Sequence, residues 1–429
     1  MAQKKLTLRY QDVAGNKIAL NPKDAEELGL DVGDICKIID ETYLELGAAK
    51  TVVDQKLKQG FFATDEALAD SLTIEEGFDY ILEKYMGIFD LPLEKLTVEI
   101  TDIGTAKDVG RTVTTEHSEV EQFLRGRVVH KGLKLRWKEK GIIMEIKETT
   151  PDIKSGEYII FGDVARIELY AAGTPFNGIL LIDMSASMKE RDMPVNERVL
   201  PMLTSLHNMA ENAMPEVRDY IIELEKAKTI RRLDSAAVSA MLYLAEKVAR
   251  GQGEKTAIIT YSDDAKPLTY RIKGEEVPWY DIARGGIKEE REEAAIVIGD
   301  ALFMRMEQAE SKNTNMESAL LKAKEIADQM EGIEIKQQDG KTNPIMIILL
   351  TDGEYTMGKS PVSVVQRYFA NRPKTIIHTI GIGEDADEAV LRRCAEVGKG
   401  EYCKAKDLER LLEFYSKHAK RFGTSKTMK

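Results

Sequence analysis

The chain has 429 residues, 43% hydrophobic and 31% charged, enough for two or three separate cores. Its formal net charge of −12 excludes general nucleic-acid binding, which needs a basic field to neutralise phosphate. No apolar run approaches the roughly 18 residues of a membrane span, and the three cysteines, Cys36, Cys394 and Cys403, leave an odd thiol that suits a reducing compartment.

The first residues, Met1 to Leu8, show no secretory apolar core, so the expectation is a cytoplasmic protein without membrane association. Within the first hundred residues Ala25, Leu28, Leu30 and Gly33 lie over Ala69, Leu72, Ile74 and Gly77 at a constant offset of 44. Each copy reads as a strand, a short polar helix and a turn in which Gly takes the unusual backbone angles. Further on, Phe123 to Gly132, Ile142 to Ile146 and Gly156 to Phe161 read as strands and turns. Leu133, Leu135 and Trp137 alternate with Lys134 and Arg136, as in a half-buried strand.

This N-terminal pattern resembles the double-psi β-barrel and the second, smaller barrel of the valosin-containing-protein family of AAA ATPases. The resemblance implies domains at 1–104 and 105–172 and a platform for docking proteins. No ATPase module follows, because the nearest match to a phosphate loop, Gly251 to Thr256, lacks the Gly-Lys adjacency and spacing.

From about residue 173 to 425 the texture changes to buried runs separated by helical patterns, the signature of an α/β doubly wound, Rossmann-like sheet. Strands are expected at Gly178 to Asp183, Lys255 to Ser262, Ile345 to Thr351 and Thr375 to Ile382, with a last one near Tyr402 and Cys403. A closing helix carries Leu408, Leu411, Leu412, Tyr415 and Ala419 on one side, and the basic tail beyond Lys417 reads as a solvated end. Two extra segments interrupt the alternation, at about 188–233 and 275–311, both read as helical insertions on the face that carries the strand ends.

Ile179 to Asp183 is an apolar strand ending in a carboxylate, and Ser185 and Ser187 follow on alternate positions of the exiting loop. Ile347 to Asp352 repeats the logic, with Gly353 to turn the chain away, and Thr314 stands just before a helical run. Taken singly, Ser187 to Glu190 and Thr314 to Glu317 are acceptable capping boxes and Thr351-Asp-Gly an ordinary turn. Taken together, Asp183, Ser185, Ser187, Thr314 and Asp352 are hard oxygen donors at strand ends, where open parallel sheets place ligands.

The five resemble the metal-ion-dependent adhesion site of von Willebrand A-type domains. That resemblance implies Mg²⁺, or another divalent cation such as Mn²⁺ or Ca²⁺, with an open position for an Asp or Glu carboxylate of a protein partner. It points to a metal-dependent adaptor rather than an enzyme, with an AAA-type ATPase or its substrates as candidate partners. A regulatory scaffold with a structural cation, binding through the insertions, is the alternative. A metal-dependent phosphoester hydrolase is a third reading, without a candidate base or nucleophile. A haloacid-dehalogenase phosphotransferase needs a second acid where Ser185 stands. Gly381-Ile-Gly383 lacks the third glycine of a dinucleotide site, and the five histidines, His117, His130, His207, His378 and His418, are scattered and read as structural.

Overall fold

The offset of 44 is carried by the backbone. The structure, a computed structural model, describes all residues except 1, 14, 88–91, 103–108, 155, 163, 210–214, 251–253, 273–274, 283–298, 308–310, 338–341 and 428–429. It divides into two units, Met1–Ala172 with Ser425–Lys429, and Gly173–Thr424.

In the first unit β1 (Gln3–Tyr10), β2 (Lys17–Leu20), α1 (Pro22–Leu28) and β3 (Ile35–Ile39) are followed by β4 (Glu45–Val53), β5 (Phe61–Thr64), α2 (Glu66–Leu72) and β6 (Asp79–Lys84). The six strands close into a barrel in the order β1-β5-β2-β4-β3-β6. Its two parallel pairs, β1 with β5 and β2 with β4, exchange under the repeat. Residues 19 and 63, and 38 and 82, each separated by 44, sit opposite one another, so these pairs mark the two-fold of the repeat. Both short helices are capped by the preceding side chain, Asn21 accepting from Lys23 N and Asp65 from Leu68 N, and both end in a left-handed residue, Gly29 and Thr73.

The same unit continues with β7 (Leu93–Asp102), α3 (Val109–Thr115), α4 (His117–Leu124), β8 (Val128–Val129), β9 (Lys134–Trp137), β10 (Ile142–Thr150), β11 (Ile159–Ile160) and β12 (Val164–Ala171). Here the expected small barrel is corrected. Among the described residues these strands form an open five-stranded sheet, in which β10, β7 and β12 are successive neighbours, and a separate β8/β11 pair. Leu96, Val98 and Ile100 of β7 are buried where that strand pairs with both β10 and β12. The edge beside β12 is the chain's last strand, Phe422–Thr427, so the tail read as solvated is a strand instead.

The second unit opens with β13 (Asn177–Asp183), β14 (Met193–Pro194), α5 (Leu200–Met209), α6 (Pro215–Lys226), β15 (Thr229–Ile230), α7 (Arg232–Arg250) and β16 (Glu254–Tyr261). Then come β17 (Ala265–Pro267), β18 (Tyr270–Ile272), β19 (Glu275–Val277), β20 (Tyr280–Ile282), helical residues 299–306 (α8) and α9 (Met316–Gln337). It closes with β21 (Ile345–Thr351), α10 (Pro361–Tyr368), β22 (Thr375–Ile382), α11 (Glu388–Val397), β23 (Lys399–Ala405) and α12 (Leu408–Lys420).

The sheet runs β17-β16-β13-β21-β22-β23, parallel from β16 to β23. Later strands flank β13 on both sides, so the winding reverses beside it. Every residue of β13, β21 and β22 is buried, because helices cover both faces of a parallel sheet. Met316, Ala319, Leu320, Ala323, Ile326 and Met330 of α9 pack on Ile179, Leu181, Ile347 and Leu349.

The two extra segments differ in kind. The first is pinched at its base, where Met193 pairs with Ile230 and Val195 N donates to Lys228 O at 2.9 Å, and it rises as α5 and α6. The second was expected to be helical from 275, yet Glu275–Val277 and Tyr280–Ile282 are strands, the latter pairing with β16. Trp279 is buried in the core there, which holds this stretch against the sheet. Ala294, Ile296 and Ile298, read as part of its helix, lie outside the described residues. In α8, Phe303 packs on Tyr220, Val217 and Ile221 of α6, so the two segments meet.

Candidate functional site

Asp183 is the last residue of β13 and Asp352 follows β21, so adjacent parallel strands deliver both carboxylates to one crevice. Both are fully buried. Asp183 Oδ1 accepts from Ser185 N at 2.8 Å and its Oδ2 from the Thr351 hydroxyl at 2.6 Å. The Ser185 and Ser187 hydroxyls lie 3.1 Å apart, and Ser187 donates to Asp352 Oδ1 at 2.9 Å. A continuous polar chain therefore links Asp183, Ser185, Ser187 and Asp352.

The loop that carries Thr314 is held beside these residues by its backbone. Ala186 N donates to Ser311 O at 2.7 Å, Asn315 N to Ser262 O at 2.8 Å, and Thr314 N to the Thr356 hydroxyl at 2.8 Å. The helix cap of α9 is supplied by Asn315, whose Oδ1 accepts from Ser318 N at 3.0 Å. The capping-box reading of Thr314 thus gives way to its neighbour, and Ser187 spends its hydroxyl on Asp352 rather than on a cap.

Electrostatically the site is under-neutralised. Burial pushes the Asp183 carboxyl up to about 7, against hydrogen bonds from Thr351 and Ser185, and nearby Asp352 adds repulsion. Burial also raises Asp352, with Arg232 and Ser187 pulling the other way. Arg232 Nη1 donates to Asp352 Oδ2 at 2.9 Å, whereas no cationic side chain contacts Asp183 among the described residues. Nor do three or more His, Cys, Asp or Glu side chains gather anywhere as a metal centre among those residues. A cation here would depend on hydroxyls.

Residues 300–417 match the family model described as von Willebrand factor type A domain. The chain carries a von Willebrand factor type A domain. The matched stretch includes Thr314 and Asp352 and leaves out Asp183, Ser185 and Ser187. Over 101 residues the chain is 31% identical to an uncharacterized protein, YwmD, of Bacillus subtilis (strain 168), which is 23% of this chain and 44% of that protein. The chain thus spans less than half the length of this curated relative. Among solved structures it is similar to von Willebrand factor type A from Catenulispora acidiphila, at 17% identity, 59% of this chain, 44% of that chain and TM-score 0.38. It is also similar to the conserved hypothetical protein BatB from Bacteroides thetaiotaomicron, at 15% identity, 56% of this chain, 96% of that chain and TM-score 0.36.

Around the von Willebrand A domain's strand ends, sequence reasoning missed Arg232. Its side chain is only 3% exposed and serves Asp352, Asp192, Glu190 and Asp385 together. An arginine at the first turn of a helix gives no periodic signal, so nothing in the spacing marks it. The histidines stand elsewhere: His378, in β22, and His418 are buried with ring centroids 3.9 Å apart, beside Phe414. Gly251 to Gly253, the start of the near phosphate loop, lie outside the described residues. No helix among the described residues is long and apolar enough to cross a membrane.

Proposed function

We propose that the crevice is a metal-ion-dependent adhesion site and that the chain is an intracellular, metal-dependent binding protein, an adaptor rather than an enzyme. The observation that carries this reading is the Asp183 carboxylate, buried without a cationic partner among the described residues and joined through Ser185 and Ser187 to Asp352. Two buried carboxylates this close favour an added positive charge. The donor set is all oxygen and largely neutral hydroxyl, which suits Mg²⁺, with Mn²⁺ and Ca²⁺ as substitutes. Ser185, Ser187 and Thr314 would hold the ion, with Asp183 and Asp352 behind them, and the ion would offer a Lewis-acidic position to an Asp or Glu carboxylate of a protein partner.

The closed barrel with its 44-residue repeat supports a double-psi β-barrel reading of the N-terminus, and with it a docking role beside AAA-type ATPases or their substrates. The α6–α8 contact at Tyr220 and Phe303 favours one second reading, a scaffold whose cation is structural and whose insertions bind.

Mn²⁺ titration of the full chain and of Asp183→Ala tests the site: saturable binding lost in the variant is expected, and binding unaffected by it overturns the reading. Co-purification of partners with and without EDTA then separates the adaptor from the scaffold, since chelator-insensitive capture favours the latter. Turnover of a generic phosphoester that disappears in Asp183→Ala would restore the hydrolase.

A further inference from the structure

Arg232 stands at the crevice and the adhesion-site reading does not use it. Its Nη1 holds Asp352 Oδ2 at 2.9 Å, while Nε lies 3.1 Å from each Asp192 oxygen. Nη2 reaches Asp192 at 2.6 Å, Glu190 at 2.9 Å and Asp385 at 3.3 Å. The guanidinium also lies against Gly383, where a Cβ would come within 2.7 Å of Cζ, so only a residue without a side chain admits it.

These four carboxylates are not equivalent. The side chains of Glu190, Asp192 and Asp385 are 57%, 43% and 70% exposed, so water can replace the guanidinium on any of them. Asp352 is fully buried and has no such exchange. With Ser187 on Oδ1, its remaining oxygen is satisfied by Arg232 or by an ion, and the guanidinium keeps its charge at every working pH.

We propose that Arg232 is a built-in competitor for Asp352 and so sets how tightly the site holds a divalent cation, with the outer carboxylates Glu190, Asp192 and Asp385 as the seat it falls back on. Arg232 is in this sense a positioning residue, and the proposal rests on the adhesion-site reading above. The fallback seat also ties the ion to the first insertion, since Glu190 and Asp192 precede its neck and Arg232 N donates to Glu190 O at 3.0 Å.

The test is Mn²⁺ affinity of the full chain, read by electron paramagnetic resonance, with circular dichroism as the check on folding. Arg232→Gln removes the competitor, and binding should tighten on the order of tenfold, the usual scale of coupling between two sites. Binding that is unchanged or weaker in folded Arg232→Gln overturns the proposal. Asp192→Asn, which removes the seat and throws Arg232 back onto Asp352, covers the case in which the first variant does not fold. It should weaken binding several-fold more than Glu354→Gln, which removes an exposed charge two residues from Asp352 that Arg232 does not contact. Equal effects of these two would show simple charge loss and overturn the proposal. Absence of saturable Mn²⁺ binding to the unaltered chain would instead sink the adhesion-site reading itself.

Discussion

The Ser187 hydroxyl donates to Asp352 at 2.9 Å across a separation of 165 residues. It is a direct bond between the loop after β13 and the loop after β21, which Arg232 also bridges from Glu190 and Asp192 to Asp352. It also sets what each substitution there should do.

Asp183→Asn removes the charge and keeps one oxygen to accept from Ser185 N or the Thr351 hydroxyl. Because Asp183 is raised by burial to about 7, the cation-free chain at pH 8 carries an unfavourable buried charge that the variant lacks. The variant should therefore match or exceed the unaltered chain in cation-free melting temperature at pH 8, and lose its response to Mg²⁺ or Mn²⁺. A fall of several degrees without cation would contradict this.

The same raised carboxyl fixes a pH dependence. Between about 4 and 7 the folded chain binds a proton at Asp183 that the unfolded chain has released, so this group's contribution falls as pH rises through that window. An ion at the site needs the ionised form and competes with that proton. The rise in melting temperature on adding Mg²⁺ should be large at pH 8 and shrink as pH drops through 7, a profile that thermal scans at fixed ionic strength will follow.

At the other end of the sheet, Lys247 and Glu254 form a fully buried pair at 3.1 Å, with Lys247 also donating to Phe176 O at 2.9 Å. Burial lowers the lysine to about 7 even with Glu254 opposing. Glu254→Ala removes that opposing charge, so Lys247 gives up its proton and Phe176 N loses its acceptor, and the variant should cost about 1–3 kcal/mol in urea unfolding. A loss under about 1 kcal/mol would mean that the pair is not closed in solution.

Two glycines should respond in opposite directions. A Cβ at Gly400 would lie 2.0 Å from Ile377 O, backbone that the β22–β23 ladder fixes, so Gly400→Ala should cost about 1–3 kcal/mol or more. Gly332, inside α9, has nothing within 4 Å of its would-be Cβ, and Gly332→Ala should stabilise by about 0.5–1 kcal/mol. Paired denaturant curves read both.

What was legible in the sequence was what repeats or runs unbroken. Ile179 to Asp183 and Ile347 to Asp352 announce themselves because a strand buried on both faces has no polar positions to interrupt it. The 44-residue offset was visible because both copies bury the same positions, Ala25 with Ala69 and Leu28 with Leu72. What stayed hidden depends on distant partners. Leu96 and Val98 become central only once β10 and β12 arrive, and Phe422 reads as tail until its neighbours are known. Arg232 is the extreme case: its partners lie 40, 42, 120 and 153 residues away, and none is implied by its own surroundings.

Met193 faces Ile230 and Pro194 faces Thr229, so the chain that departs after Ser187 comes back to the place it left. The order of strands in the sheet is indifferent to how long that excursion is. The segment between Met193 and Ile230 can thus be lengthened, trimmed or exchanged while Asp183 and Asp352 keep their places at the strand ends.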